Sequence, residues 1–242
     1  MAVGAEYECH ACGRTFAAGL VRVPRAWGAG GEAMAEAARL ELPYPETVVL
    51  EEPSLAEQTE ALASSLPERP VVLGGCCCAH VGAAKGLAER HAGLGLAWFD
   101  AHGDLNTPAT SPSGNEWGMP LRMLLDDGAV ELDRTVLVGA RNLDPPEQAY
   151  LDATALPLGP DGLDRVVGLV ERVYVALDLD VLAPGEADVF MPEAGGPSLE
   201  ELERMLVRVS AHALVVGVGV TGIRPTERNV AAITRLLRAL AL

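Results

Sequence analysis

Short apolar, β-branched runs alternate along this chain with longer segments in which apolar residues recur at helical spacing. The short runs predict strands and the longer segments predict helices. The sequence Ser198-Leu199-Glu200-Glu201, a serine followed three residues later by a glutamate, is typical of a helix start. The predicted strands are Leu20–Val23, Thr47–Leu50, Val71–Leu73, Leu94–Phe99, Thr135–Val138, Val173–Leu177 and Ala213–Val220. The predicted helices are Ser54–Leu66, Ala79–His91, Asp161–Arg172, Ser198–His212 and Glu227–Leu240.

This order of elements predicts the fold class. Continuously apolar strands, each followed by a helix, are typical of a parallel sheet that is covered on both faces. We therefore expect an α/β protein with a three-layer α/β/α architecture, a mostly parallel central sheet and residues 1–242 in a single domain. Ligands of such sheets bind beyond the carboxyl ends of the strands. The polar segment Asn106–Met119 predicts a long loop with a functional role.

Composition limits the partners. The 18 basic and 34 acidic residues give a formal net charge of −16, which argues against nucleic acid or an anionic membrane surface as the main partner. No apolar run is long and pure enough to span a bilayer. The first residues lack a basic segment followed by an apolar stretch, so secretion is not indicated. We therefore expect a cytoplasmic protein.

The five cysteines form two clusters, Cys9/Cys12 and Cys76–Cys78. A contiguous triplet is a poor disulfide framework, so reduced thiols are the simpler interpretation. The first cluster, Cys9-His-Ala-Cys12-Gly, is typical of a thiolate turn in zinc knuckles and lies in a short N-terminal extension, residues 1–19. A closed zinc site needs four ligands, so zinc binding here requires His10 or a second subunit.

Two acidic motifs follow predicted strands. Asp100, His102 and Asp104 come directly after Leu94–Phe99, two residues apart, and at strand spacing they would point to one side. Converging oxygen and imidazole ligands suit Mn²⁺ or a similar cation. The alternative is a polar strand end with a capping aspartate. Asp178 and Asp180 end a second apolar run, so the two motifs together predict a site with two metals.

The residues around the first motif resemble a known family. Asp100-Ala-His-Gly-Asp104-Leu-Asn-Thr-Pro, continued by Ser111-Pro-Ser-Gly-Asn115, closely resembles the arginase branch of the ureohydrolases. Further similar motifs are Gly74-Gly75, Val138-Gly-Ala-Arg141-Asn-Leu-Asp144-Pro and Ala176-Leu-Asp178-Leu-Asp180-Val-Leu, in the family's order. The resemblance covers roughly Val71 to Pro225. It implies the arginase-like fold, a homo-oligomer (trimer or hexamer) and a small guanidino or amidine substrate.

The resemblance also implies a reaction and a cofactor. Two Mn²⁺ ions per subunit would activate a water molecule that attacks the guanidinium carbon, most typically converting arginine to ornithine and urea. Asp100 and Asp178 would bridge the two metals. The implied metal ligands are Cys77 and Asp104 at the first position and His102 and Asp180 at the second. The implied catalytic residues are Asp104, His102 and Asp144, and the implied substrate-binding residues are Asn106, Ser113, Asn115 and Asp144.

Three positions depart from the family pattern. Cys77 stands where a histidine ligand is usual, and a thiolate favours softer ions such as Zn²⁺, Co²⁺ or Fe²⁺. Trp117 replaces a proton-shuttle histidine, and Gly222 takes the place of a glutamate that grips the guanidinium. His80 could ligate instead of Cys77, and Glu193 or Glu227 could replace the missing glutamate. The alternatives are therefore a hydrolase of a different amidine, or a degenerate homologue acting as a binding or regulatory protein.

Overall fold

Eight strands form one sheet in the computed structural model, which describes residues 5–8 and 15–242. The strands are β1 (Ala5–Glu8), β2 (Thr15–Val23), β3 (Glu46–Val49), β4 (Arg69–Gly74), β5 (Gly95–Phe99), β6 (Thr135–Val138), β7 (Arg172–Asp178) and β8 (Leu214–Thr221). Their order is β1-β2-β4-β8-β7-β5-β6, and β3 also pairs with β2. Among these strands β1 alone pairs antiparallel, with β2, so the mostly parallel sheet predicted from the sequence is confirmed.

Eight α-helices of the described chain accompany the sheet. They are α1 (Glu32–Ala35), α2 (Leu55–Ser65), α3 (Ala79–Arg90), α4 (Pro120–Asp126), α5 (Pro145–Ala153), α6 (Gly159–Leu169), α7 (Leu199–His212) and α8 (Glu227–Ala239). Helices α6, α7 and α8 contribute to one hydrophobic core, while α2, α3 and α4 contribute to the other. These are the outer layers of the predicted α/β/α architecture.

The sheet separates the two cores because successive strand side chains point to opposite faces. In β7, Val173, Val175 and Leu177 belong to the core under α6–α8, whereas Tyr174 and Ala176 belong to the core under α2–α4. Both faces of the strand are buried, which explains its continuously apolar sequence.

Most predicted elements have the expected position. The Ser198–Glu201 capping box is present, with the Ser198 hydroxyl accepting from the Glu201 N–H and the Glu201 carboxylate accepting from the Ser198 N–H. The predicted helix Asp161–Arg172 instead runs from Gly159 to Leu169, because Arg172 already belongs to β7. The segment Asn106–Met119 contains a single 3₁₀ turn, at Glu116–Gly118, and is otherwise a loop.

Cys9, His10 and Cys12, the predicted zinc knuckle, lie outside the described residues. Within residues 5–8 and 15–242, no helix has the length and hydrophobicity needed to cross a bilayer.

Candidate metal centre

The two acidic motifs lie side by side at the carboxyl edge of the sheet. Asp100 directly follows β5, and Asp178 is the last residue of β7. These two strands are parallel neighbours, paired from Gly95–Val173 to Phe99–Leu177, so their carboxyl ends meet. The loop after β4 brings Cys77 to the same edge, and there its Sγ lies 3.1 Å from Asp178 Oδ2.

The first motif is not a continuation of its strand. β5 ends at Phe99, and Asp104 has a left-handed backbone with φ of 51°. The three side chains therefore do not line one side of a strand, as the sequence spacing predicted, and they do not converge on one point. They are divided between two groups of potential ligands that have Asp100 in common.

The first group contains Cys77, Asp100 and Asp104, whose donor atoms all lie within 4.8 Å of one another. Cys77 Sγ is 3.8 Å from Asp100 Oδ2. Asp104 Oδ2 is buried and has no hydrogen-bond partner. A buried carboxylate oxygen without a donor is costly, and a cation at this position would satisfy it.

The second group contains Asp100, His102 and Asp180, again within 4.8 Å. His102 Nδ1 lies 3.0 Å from Asp180 Oδ2 and 3.3 Å from Asp100 Oδ1. On the other side of the ring, His102 Nε2 lies 3.5 Å from Glu193 Oε1, which also accepts a hydrogen bond from the Asn142 amide. The imidazole is thus oriented by carboxylates on both sides.

Burial and mutual repulsion disfavour the ionised form of the carboxylates. Burial, followed by the charge of Asp180, raises the pKa of Asp178 to about 7. Burial and the charge of Asp100 raise the pKa of Asp180 to about 6, and the same two causes raise the pKa of Asp104. Burial alone would lower the pKa of His102, but hydrogen bonds to Asp100 and Asp180 outweigh it and raise the pKa to about 12.

Divalent cations fit this cluster. Three buried aspartates belong to the two ligand groups, and the fourth, Asp178, lies outside both groups beside Cys77. With His102 as the nearby basic group, positive charge would offset the repulsion among the four carboxylates. The second group offers the oxygen and nitrogen donors that Mn²⁺ accepts, whereas Cys77 adds a soft sulfur donor to the first. Burial and the neighbouring carboxylates raise the pKa of the Cys77 thiol, so thiolate coordination requires a metal to displace the proton.

A cavity of about 180 Å³ opens above the cluster. Within the described residues its wall includes no lysine or arginine, and it carries six carboxylate side chains: Asp100, Asp104, Asp144, Glu147, Asp178 and Asp180. Asn106 and Ser113 also line it, and the Asn106 amide donates to Asp144 Oδ2 at 2.9 Å. Asn115 lies outside the wall, where its side-chain oxygen accepts from the Ala29 N–H.

The structure also places three residues discussed in the sequence analysis: Trp117, Gly222 and His80. Trp117 lines the cavity, next to an apolar cluster that also includes Met34 and Phe190. Gly222 has φ of +70°, and a Cβ atom there would lie 1.8 Å from Asp178 Oδ1, so the local backbone excludes any side chain. His80 belongs to neither ligand group, since Tyr174 and Thr221 engage its two ring nitrogens.

Sequence reasoning missed some residues that support the site. Buried Glu147 accepts from the Leu105 N–H at 3.0 Å and from the Asp144 N–H at 2.8 Å, which fixes the loop after β5 to the start of α5. The spacing Asp144-x-x-Glu147 is a capping-box signal that could have revealed this contact. Glu193 contacts His102, whereas Glu227 is the first residue of α8 and does not line the cavity.

The fold and the site define the class as an α/β/α protein with a cluster of carboxylates and other potential cation ligands beyond the ends of its parallel strands. The comparison with known proteins narrows this class: the arginase family model matches residues 33–242, and the chain belongs to that family. It is 31% identical to the arginase of Bacillus caldovelox over 211 residues, 73% of this chain and 71% of that protein.

Two further comparisons agree. The chain is 35% identical to the arginase of Bacillus subtilis strain 168 over 158 residues, which covers 54% of this chain and 53%, about half, of that protein. The crystal structure of an arginase from Bacillus subtilis is similar with a TM-score of 0.78 at 23% identity, over 93% of this chain and 98% of the other. This structural likeness concerns the fold.

Proposed function

We propose that this protein is a metal-dependent hydrolase of a C–N bond in a guanidino or amidine compound, specifically an arginase-type enzyme acting on arginine. The observation that carries the proposal is the pair of ligand groups that share Asp100 at the floor of the cavity. Bound cations would supply an activated water molecule as the nucleophile. We expect two Mn²⁺ ions per subunit, with Zn²⁺, Co²⁺ or Fe²⁺ as alternatives at the position that includes Cys77.

Different residues of the chain would bind the cations and orient the substrate. Cys77, Asp100 and Asp104 would hold the first cation, and Asp100, His102 and Asp180 the second, with Asp178 beside Cys77 completing the bridge. Asn106, Ser113 and Asp144 stand at the wall of the cavity, where they can orient a polar substrate end. The acidic wall favours a cationic substrate over an anionic one.

Asp104, His102 and Asp144 stay the proposed catalytic residues. Asn115 accepts a hydrogen bond from the Ala29 N–H. Its side chain would therefore have to move in order to contact a substrate. The homo-oligomeric assembly and the cytoplasmic location also stay predictions.

A second candidate function, a binding or regulatory protein without turnover, is favoured by Trp117 and Gly222. Tryptophan carries no proton that it can exchange near neutral pH, and the backbone at Gly222 has no room for an acidic side chain. The same two positions also favour a hydrolase that takes a different amidine. A urea-release assay with arginine, and a product assay with a panel of other amidines, separates these outcomes.

Asp100→Asn tests the site itself. We expect the variant to lose bound metal and turnover while keeping its fold, because Asp100 is common to both ligand groups. Elemental analysis after Mn²⁺ loading, together with circular dichroism, measures both effects. Asp133→Asn makes the same change at an exposed position and should retain the metal. Wild-type protein with less than one metal ion per chain and no turnover would refute the proposal.

A further inference from the structure

A line of buried polar side chains stands behind Asp178, on the side away from the cavity. Tyr174 Oη lies 2.9 Å from His80 Nδ1, and His80 Nε2 lies 3.2 Å from Thr221 Oγ1. The Thr221 hydroxyl in turn donates to Asp178 Oδ2 at 3.0 Å. The line therefore runs from the core to a proposed metal-bridging carboxylate.

The fold makes room for this line in an otherwise apolar core. Tyr174, His80 and Thr221 are all at most 1% exposed, between β7, β8 and α3. A Cβ atom at Gly219 would lie 2.4 Å from both His80 Nδ1 and Tyr174 Oη, so only glycine at this position of β8 admits the contact. Trp98 packs edge-on against the His80 ring at 5.0 Å between centroids, and its indole N–H donates to Asp100 Oδ2.

The hydrogen atoms of the line can be placed by elimination. Thr221 has a single hydroxyl hydrogen, and its partners besides His80 are Asp178 Oδ2 at 3.0 Å and Cys77 Sγ at 3.4 Å. The hydrogen goes to the nearer and stronger acceptor, the Asp178 carboxylate. His80 Nε2 must then donate to Thr221 Oγ1, which leaves Nδ1 as an acceptor for the Tyr174 hydroxyl. Burial lowers the pKa of His80 to about 3, so the imidazole is neutral near physiological pH, as this arrangement requires.

We propose that Tyr174, His80 and Thr221 form a one-directional hydrogen-bond relay that positions Asp178 for cation binding. His80 is thus a positioning residue, and the inference rests on the proposed function because it assumes that Asp178 binds a metal. Oδ2 accepts from Thr221, while Oδ1 accepts from the Asp180 N–H at 2.9 Å. Oδ1 keeps a second lone pair for a cation, whereas the second lone pair of Oδ2 accepts from the Cys77 thiol at 3.1 Å and becomes available when a metal displaces the thiol proton. The hydrogen bonds from Thr221 and Asp180 fix the carboxylate plane.

The relay explains why a histidine only three residues from Cys77 lies outside both ligand groups. Both of its ring nitrogens are already engaged, one with Tyr174 and one with Thr221. Removing a buried partner of a carboxylate ligand typically weakens metal binding by about 10- to 100-fold. The loss should therefore appear in the affinity for the metal even when turnover is not measured.

The first experiment determines the tautomer of His80 by long-range ¹H–¹⁵N NMR on the full-length protein. The relay requires hydrogen on Nε2 and none on Nδ1, with the signal unchanged between mildly acidic and mildly alkaline pH. A hydrogen on Nδ1 would reverse the direction and overturn the proposal. This measurement needs neither metal nor substrate.

The second experiment measures Co²⁺ affinity from visible absorption for the wild type and three variants. Thr221→Val removes the hydroxyl at nearly constant volume, and we expect about 10- to 100-fold weaker binding. Thr221→Ser retains the hydroxyl and should recover most of the affinity. Tyr174→Phe removes the donor to His80 Nδ1, so it should weaken binding and release the tautomer preference.

The outcomes separate the relay from the proposed function. Wild-type affinity in a folded Thr221→Val variant, checked by circular dichroism, would overturn the relay and leave the hydrolase proposal intact. Failure of Thr221→Ser to recover affinity would also overturn the relay, because a hydroxyl alone would then not explain the effect. A wild-type protein that binds no Co²⁺ or Mn²⁺ would overturn the proposed function, whatever the tautomer of His80.

Discussion

Cys77 gives this site a chemistry that its neighbours alone would not have. It stands in the first ligand group among oxygen donors, 3.1 Å from Asp178 and 3.8 Å from Asp100. Sulfur is a soft donor, whereas carboxylates suit harder ions, so the two groups should differ in the metal that each prefers. The raised pKa of the thiol means that a metal must compete with a proton for this position.

The identity of this ligand can be read from a spectrum. With Co²⁺ we expect the wild type to show a thiolate-to-cobalt charge-transfer band in the near ultraviolet, and Cys77→Ser to lack it. Cys76→Ser changes the neighbouring buried thiol and should keep the band. Cys77→His should raise Mn²⁺ occupancy, because imidazole replaces sulfur. A band that survives in Cys77→Ser would exclude Cys77 as the ligand.

At the scale of elements, Arg141 joins the loops that surround the second ligand group. Its guanidinium donates to the carbonyl oxygens of six residues: Gly139, Asp180, Val181, Leu182, Glu193 and Ala194. Three of these belong to the turn after β7, and two to the segment that carries Glu193. One side chain thus fixes the turn that holds Asp180 relative to the segment that reaches His102.

Loss of this side chain should be costly. We expect Arg141→Ala to lower the free energy of unfolding by about 3 kcal/mol, because several carbonyls lose a charged donor at once. Urea denaturation followed by circular dichroism measures the change. Arg228→Ala removes a half-exposed arginine whose ion pair with Asp188 spans 3.6 Å, and it should change stability by less than about 1 kcal/mol. Equal effects of the two substitutions would contradict the role assigned to Arg141.

At the scale of the whole molecule, the fold concentrates negative charge at one buried point. The chain already carries a net charge of −16, and four of its aspartates meet in one cluster below the cavity. Folding of the chain buries these carboxylates and brings their charges together, which lowers its stability, as the raised pKa values of Asp100, Asp104 and Asp178 indicate. A cation that binds only the folded state relieves both penalties.

Metal loading should therefore raise the melting temperature. At a free concentration 100 times the dissociation constant, binding stabilises the fold by about 2.7 kcal/mol. For a chain of this size that corresponds to roughly 5–10 °C, measurable by calorimetry with Mn²⁺ and after chelation.

Two controls separate the site from the acidic surface. Asp100→Asn should show almost no shift with Mn²⁺, and Mg²⁺ should shift the wild type less than Mn²⁺ does, because sulfur and imidazole donors do not suit it. An equal shift in wild type and Asp100→Asn would place the effect at the surface.

Local sequence determined the fold class and most elements, and it supplied the candidate metal ligands. The apolar runs predicted seven strands, six of which are buried on both faces, whereas β3 is mostly exposed. The strand-then-motif order put Asp100 and Asp178 at the carboxyl edge. Short helices were harder to predict from the sequence. α4 and α5 begin at prolines and contribute few buried residues, so their apolar periodicity is weak. β1 has the sequence Ala-Glu-Tyr-Glu and therefore contains no continuous apolar run.

Only the tertiary structure decided how these residues combine. It divided Asp100, His102 and Asp104 between two groups, because β5 ends at Phe99 and the turn at Asp104 redirects the last carboxylate. It also joined His80 to Asp178 through Thr221, from three elements that are distant in the chain. A sequence specifies which side chains are available. Contacts between distant segments depend on packing across the sheet, and local sequence patterns do not predict that packing.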